Sequence, residues 1–148
     1  MYAEVMEKPK AQTLVEEERQ SILIVDDDDT LTDVLSRRLQ QQGFATMTAN
    51  SGRSGLGIAQ SVRPALIVLD LRLPDSDGFA VCKQLADSPE TCDIPVIILS
   101  GLEQPGILRR CRAAGCCYFL RKPYDPNAML ILIRQAIREA SAWDEPKL

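Results

Sequence analysis

Short, unbroken apolar runs alternate with amphipathic stretches along this chain, and that alternation restricts the folds open to it. Four of the runs end abruptly at polar residues: 22–25, 65–69, 96–99 and 117–120. Runs of this length and composition are typical of strands that are covered on both faces, as in a parallel sheet. The segment 45–49 instead alternates small or apolar residues with polar ones, which predicts a strand at the edge of the sheet.

An amphipathic helix is predicted after every strand. Asp28 or Asp29 can cap the first helix. Its apolar face would hold Leu31, Val34, Leu35 and Leu39. The second helix, at 54–61, contains Gly55 and Gly57, each about 1 kcal/mol less favourable than alanine, so we expect it to be the weakest. The buried stripe of the last helix would be Met129, Leu130, Ile133, Ala136, Ile137 and Ala140.

Strand followed by helix occurs five times, and the sequence contains no longer repeat. Because crossovers between parallel strands are right-handed, five such units predict an α/β fold, in which a doubly wound parallel sheet of five strands carries helices on both faces. We expect one domain at 21–142, preceded by a polar N-terminal tail at 1–20 and followed by a short C-terminal tail at 143–148.

The composition excludes several kinds of chemistry. The chain has no histidine, which removes Ser-His and Cys-His nucleophile pairs and imidazole acid–base catalysis. Its five cysteines form no CxxC pair, so we expect reduced thiols and no zinc site. A net charge of −4 argues against direct nucleic-acid binding. The sequence shows neither a secretory leader nor an apolar run near the ~20 residues of a membrane helix, so we expect a cytoplasmic protein.

Charged and polar residues follow the apolar runs, at the predicted carboxyl ends of the strands. Asp26 and Asp27 follow the first run, Asp70 the third strand, Ser100 the fourth and Lys122 the fifth. Parallel strands deliver these positions to one edge of the sheet, where ligands bind in such folds. Two of the acids can hold Mg²⁺, and the third can attack phosphorus as a nucleophile. The lysine can neutralise a transferring phosphoryl group, and the serine can donate a hydrogen bond to it.

Four motifs resemble the receiver domain of bacterial two-component response regulators. They are Ile-Leu-Ile-Val-Asp-Asp at 22–27, Leu-Asp-Leu-Arg-Leu-Pro-Asp-Ser-Asp-Gly at 69–78, Leu-Ser-Gly at 99–101 and Leu-Arg-Lys-Pro-Tyr-Asp at 120–125. Each motif is weak alone, but together they stand in the family's order at compatible spacing. The resemblance also implies the flavodoxin-like strand order 2-1-3-4-5.

The resemblance implies a role for each residue at the edge of the sheet. Asp70 would accept phosphate from the phosphohistidine of a sensor histidine kinase or histidine phosphotransfer protein. Asp26, Asp27, Asp70 and the backbone carbonyl of Arg72 would surround Mg²⁺. Lys122 would bind the phosphate, with a cis peptide bond before Pro123. Ser100 and Phe119 would be the switch residues, and the tyrosine often found at the second position stands one residue earlier, at Tyr118.

The family implies a signalling module that catalyses only its own phosphorylation and dephosphorylation, acts on a downstream protein target and is not otherwise an enzyme. A homodimer is left open. One alternative is an unphosphorylated pseudo-receiver that serves as a scaffold, although the chain lacks none of the site residues. Another is a phosphatase of the haloacid-dehalogenase type, but that family has a second acid two residues after its nucleophile, where this chain has Arg72.

Overall fold

The computed structural model describes residues 19–101, 105–116 and 118–143 of the chain. Within these residues five strands alternate with five helices, as predicted. The strands are β1 (Ser21–Val25), β2 (Ala45–Ala49), β3 (Leu66–Asp70), β4 (Val96–Ser100) and β5 (Tyr118–Arg121). The helices are α1 (Asp29–Gln41), α2 (Gly52–Val62), α3 (Gly78–Asp87), α4 (Ile107–Ala113) and α5 (Pro126–Trp143). The tail predicted at the N-terminus, apart from its last two residues, lies outside the described residues, as do residues 144–148.

All five strands are parallel and form one sheet in the order β2-β1-β3-β4-β5, which confirms the predicted doubly wound fold. Successive residues of β1 point to opposite faces of the sheet, so each strand contributes to two apolar cores. Leu23 and Val25 join a core beneath α2, α3 and α4, and Ile22 and Ile24 join a core beneath α1 and α5. β2 is an edge strand, as its alternating sequence predicted.

Helix α1 begins as predicted, and its buried face differs from the predicted one at Val34. The Asp28 side chain accepts a hydrogen bond from the Leu31 backbone N–H and caps the helix. Leu35 and Leu39 are buried, but Val34 is 64% exposed, so its predicted place in the core is wrong. Thr32 takes its place, because Thr32 lies one turn from Leu35 whereas Val34 is rotated about 100° away from it.

Strand β5 is less buried than its apolar sequence predicts. Tyr118, Phe119 and Leu120 are only partly buried, because β5 lies at the edge of the sheet and pairs with β4 alone. The hydroxyl of Tyr118 donates a hydrogen bond to Glu139 on α5. Cys117, predicted as the first residue of this run, lies outside the described residues.

Of the three glycines in α2, Gly52 begins the helix, and one of the two that the sequence analysis singled out has a packing role. A Cβ atom at Gly55 would lie 2.8 Å from Cγ2 of Val25, so glycine lets the helix approach β1 closely. A Cβ at Gly57 would have no neighbour within 4 Å. That α2 is the weakest helix stays a prediction. Of Gly55 and Gly57, only Gly57 stands where an alanine side chain would meet no neighbour.

Candidate functional site

Three charged side chains meet at the carboxyl ends of β1, β3 and β5. The Nζ atom of Lys122 lies 2.9 Å from Oδ2 of Asp26 and 3.1 Å from Oδ2 of Asp70. Both carboxylates are almost fully buried, and the lysine side chain is 22% exposed. These residues are separated by 52 and 96 positions in the sequence and are brought together by the parallel arrangement of the strands.

The acids at this edge form a set of ligands suited to a divalent cation. Asp26, Asp27 and Asp70 each present one carboxylate oxygen, and these oxygens lie within 4.8 Å of one another. Backbone hydrogen bonds orient two of the carboxylates: the Asp28 N–H donates to Oδ1 of Asp26 over 3.0 Å, and the Arg72 N–H donates to Oδ1 of Asp70 over 3.2 Å. Hard oxygen ligands of this kind fit Mg²⁺.

Burial and neighbouring charges shift the protonation equilibria of the site. Burial raises the pKa of Asp70, and the nearby charge of Asp26 raises it further, against the lowering effects of the Arg72 N–H and of Lys122. Burial would lower the pKa of Lys122, but its hydrogen bonds to Asp26 and Asp70 outweigh burial and leave it raised. The lysine therefore stays charged at neutral pH, between two carboxylates that repel each other.

A cavity of about 240 Å³ opens beside Asp70 and is also lined by Arg72, Ser100, Gly101 and Lys122. The cavity leaves room for a phosphoryl group beside the Asp70 carboxylate. The backbone carbonyl of Ser100 accepts a hydrogen bond from the Lys122 N–H over 2.9 Å, which holds the ends of β4 and β5 together. The peptide bond between Lys122 and Pro123 is cis, as the resemblance implied.

Phe119 lies three residues before Lys122 and is half-buried. Its side chain packs against the apolar core beneath α2, α3 and α4. It is not among the residues that line the cavity beside Asp70. The structure therefore places Phe119 on the same strand as the site but outside the site itself.

Hydrogen bonds that sequence reasoning missed hold the loop after Asp70. The carboxylate of Asp75 accepts hydrogen bonds from the backbone N–H groups of Gly52 and Arg53, over 2.8 and 3.0 Å, and so adds to the Ser51 cap at the start of α2. The hydrogen bond from Arg53 lowers the pKa of Asp75 the most, and the one from Gly52 lowers it further. Asp77 caps α3 by accepting a hydrogen bond from the Phe79 N–H. An acid directly before a helix-starting glycine is a local signal for the Asp77 cap, whereas the partner of Asp75 is 23 residues away.

Gly78 is a second residue whose role was missed. A Cβ atom at this position would lie 2.5 Å from the Cα of Leu71 and 2.7 Å from the carbonyl oxygen of Asp70. The Gly78 N–H donates to the Leu71 carbonyl over 3.0 Å. The loop thus closes directly onto the end of β3, and only glycine leaves room for that contact.

Relatives with known names match most of the chain. Residues 22–134 match the family model for the response regulator receiver domain. The DNA-binding dual master transcriptional regulator RpaA of Synechocystis sp. is 38% identical over 117 residues, which cover 79% of this chain and 48% of the relative. Response regulator PleD of Caulobacter vibrioides is 33% identical over 124 residues, which cover 84% of this chain and 27% of the relative. The chain thus spans about half or less of the length of these relatives.

Solved structures agree with these matches. A CheY-like response regulator receiver domain protein from Methanospirillum hungatei superposes with a TM-score of 0.80 and 23% identity, over 84% of this chain and 98% of the other, and supports the fold alone. The signal receiver domain of a histidine kinase from Syntrophus aciditrophicus superposes with a TM-score of 0.76 and 30% identity, over 81% of this chain and 91% of the other. The chain belongs to the response regulator receiver domain family of two-component signalling systems.

Proposed function

We propose that the chain accepts a phosphoryl group on Asp70 in a Mg²⁺-dependent reaction and thereby switches a protein-interaction surface. The phosphoryl donor is the phosphohistidine of a sensor histidine kinase or histidine phosphotransfer protein. One observation carries this proposal: a buried carboxylate, two further acids and a lysine converge beside a cavity, with Lys122 Nζ 3.1 Å from Asp70 Oδ2. We assign the site to a domain at 21–142 and place the reaction in the cytoplasm.

Each side chain has a defined task in the transfer. A carboxylate oxygen of Asp70 attacks phosphorus, an O–P bond forms, and the N–P bond of the phosphohistidine breaks with its electron pair leaving on the nitrogen. Lys122 binds the incoming phosphoryl oxygens through its ammonium charge. Asp26, Asp27, Asp70 and the Arg72 carbonyl would hold Mg²⁺, which supplies positive charge at the transferring group.

The switch follows from the place of Ser100 at the end of β4. Its hydroxyl donates to the new phosphoryl group, which draws the end of β4 towards Asp70, and Phe119 repacks on β5. The surface formed by residues 94–118 then favours a different partner, either a downstream protein or a second copy of the chain.

Within the described residues, no helix combines the length and apolar character needed to span a bilayer.

Phosphorylation by a small donor tests the proposal without knowledge of the kinase. The chain is incubated with acetyl phosphate and Mg²⁺, and its intact mass is measured. We expect one phosphoryl group per chain in the presence of Mg²⁺ and none when EDTA is added. Peptide mapping should locate the group on Asp70. A chain that stays unmodified at high donor and Mg²⁺ concentrations would contradict the proposal and favour the pseudo-receiver alternative.

Mg²⁺ is expected to stabilise the folded chain. A ligand that binds only the folded state raises the free energy of unfolding by about 1.4 kcal/mol at roughly ten times its dissociation constant. The increase should fall sharply in Asp27→Asn, because Asp27 is an exposed ligand whose loss should not disturb the fold. Thermal unfolding with and without Mg²⁺ measures this effect. Asp87→Asn, an exposed acid at the end of α3, is the matched control and should keep the full increase.

A further inference from the structure

The cavity beside Asp70 has a buried floor and an exposed mouth. Of the five residues that line it, Asp70 and Ser100 are buried, whereas Arg72 and Gly101 are exposed. Among the described residues, a Cβ atom built at Gly101 would meet only the Cβ of Lys122, at 3.9 Å. The mouth is therefore open on the side of Gly101, and Arg72 is the exposed charged residue among those that line the cavity.

The side chain of Arg72 lies on the same side of the backbone as that of Asp70. Every second residue after position 66 joins or packs against the core beneath α2, α3 and α4: Ile67, Leu69, Leu71 and Leu73. Since successive side chains of an extended chain point to opposite sides, the alternation of β3 continues to residue 73. Arg72 also forms an isolated antiparallel bridge with Asp77, as an extended residue can. Positions 70 and 72 therefore both face away from that core, towards the cavity that they line.

The guanidinium group of Arg72 has no partner within the part of the chain that the structure describes. Neither a hydrogen bond nor an ion pair there involves its side chain. Asp77, which faces the Arg72 backbone across the bridge, pairs instead with Arg110 at 3.6 Å. Lys122, the other cation that lines the cavity, is held by two buried carboxylates. Arg72 is thus the cation of the cavity that stays available to a ligand entering through the mouth.

The geometry of phosphoryl transfer decides which part of a donor meets Arg72. The attacking and the leaving atom stand roughly in line on opposite sides of phosphorus. Because the attacking oxygen belongs to the buried Asp70, the leaving group points out towards the mouth.

An acyl phosphate donor places a carboxylate at that mouth. The bond from the Asp70 oxygen to phosphorus forms, the bond from phosphorus to the acyl oxygen breaks, and its electron pair stays on the acyl oxygen. A guanidinium group offers a carboxylate two parallel N–H donors, and its charge stabilises the negative charge as that charge develops. Arg72 therefore has the chemistry and the place to receive this leaving group.

We propose that Arg72 binds the leaving carboxylate of acyl phosphate donors and so makes the chain discriminate between donors by their leaving group. The inference rests on the proposed phosphorylation of Asp70. A donor that releases ammonia or a neutral imidazole gains nothing from Arg72, because its leaving group develops no negative charge. Lys122, in contrast, acts on the transferring phosphoryl group, which all donors share.

Two donors with different leaving groups test the proposal: acetyl phosphate, which releases acetate, and phosphoramidate, which releases ammonia. Labelling of the full chain in Mg²⁺ is followed by intact mass at several donor concentrations, which gives a second-order rate constant for each donor. Arg72→Met keeps the length of the side chain but removes its charge. We expect it to lower the acetyl phosphate constant about tenfold, the low end for a hydrogen bond to a charged group, and to leave the phosphoramidate constant within about twofold.

Two further variants serve as comparisons. Arg72→Lys keeps the charge but loses the paired donors of the guanidinium, so its acetyl phosphate constant should fall between those of Arg72→Met and the wild type. Arg138→Met replaces an exposed arginine of α5 that does not line the cavity, and it should match the wild type with both donors.

Three results would overturn the inference. One is an equal loss with both donors in Arg72→Met, which would place Arg72 on the shared phosphoryl group. Another is an unchanged acetyl phosphate constant in that variant. The third is a smaller Mg²⁺-induced rise in thermal stability than in the wild type, which would place the effect at the ion. A wild type that neither donor labels would refute phosphorylation of Asp70 and this inference with it. Labelling of Asp70 with a donor ratio that does not depend on residue 72 would refute this inference alone.

Discussion

Asp70→Asn is expected to abolish phosphorylation of the chain completely. Asparagine has nearly the same shape as aspartate, and its amide oxygen can still accept one of the two hydrogen bonds that the Arg72 N–H and Lys122 donate to Asp70, but this oxygen is not a nucleophile towards phosphorus at neutral pH. The measurement is intact mass after incubation with acetyl phosphate and Mg²⁺. Asp87→Asn changes an exposed acid away from the site and should be phosphorylated like the wild type.

The same variant should be more stable than the wild type at neutral pH. The pKa of Asp70 is raised in the folded state by burial and by the charge of Asp26. A carboxyl group whose pKa is higher in the folded state binds its proton more tightly there. Protonation therefore favours folding when the pH is low, and this contribution is lost as the pH rises through the pKa of the folded state. At pH 7 the ionised Asp70 therefore opposes folding, and asparagine removes that opposition. The difference in unfolding free energy should shrink as the pH falls towards the ordinary carboxyl pKa.

Intact mass after incubation with acetyl phosphate measures the loss of phosphorylation in Asp70→Asn. Urea unfolding at several pH values measures its gain in stability. If Asp70→Asn were still phosphorylated to the wild-type extent, the phosphoryl acceptor would be a residue other than Asp70. A variant that is much less stable than the wild type at pH 7 would show that the Asp70–Lys122 ion pair contributes more to folding than the repulsion between Asp70 and Asp26 removes.

The fold could be predicted because its signals are local. A buried parallel strand is an unbroken apolar run, and the residue after it marks the edge where ligands bind, so Asp26, Asp70 and Lys122 could be expected to meet before any contact was known. Edge and central strands, however, look alike in sequence when both are apolar. The partial burial of Phe119 depends on β5 having one neighbour instead of two, and no pattern within β5 contains that information.

Contacts between distant segments were the other part that could not be predicted. No local pattern indicates a partner for Asp75, whose carboxylate binds backbone N–H groups at the start of α2, 23 positions away. Val34 is apolar and neighbours the buried Leu35, so helical spacing alone predicts it in the core. The sheet beneath α1 decides which face of the helix is buried, and Val34 lies outside that face. Tertiary packing determines the partner of Asp75 and the buried face of α1. Helix propensity and hydrophobic periodicity describe only the average outcome of such packing.

Gly78→Ala is expected to destabilise the chain by about 2–3 kcal/mol, the cost of forcing a methyl group into a closely packed region. The new Cβ would lie 2.5 Å from the Cα of Leu71 and 2.7 Å from the carbonyl oxygen of Asp70. Both are backbone atoms, which cannot turn aside as a side chain can, so the loop or the end of β3 must move. Either movement displaces Asp70, and the rate of labelling by acetyl phosphate should fall as well.

Gly57→Ala is the matched control, and its expected effect has the opposite sign. Gly57 is exposed on α2 and has open space where a Cβ would stand, so alanine gains helix propensity without a clash and should stabilise the chain by about 0.5–1 kcal/mol. Urea unfolding with unchanged m-values compares the two variants. If Gly78→Ala also left stability within 0.5 kcal/mol of the wild type, the loop after Asp70 would not rest on β3 as closely as described.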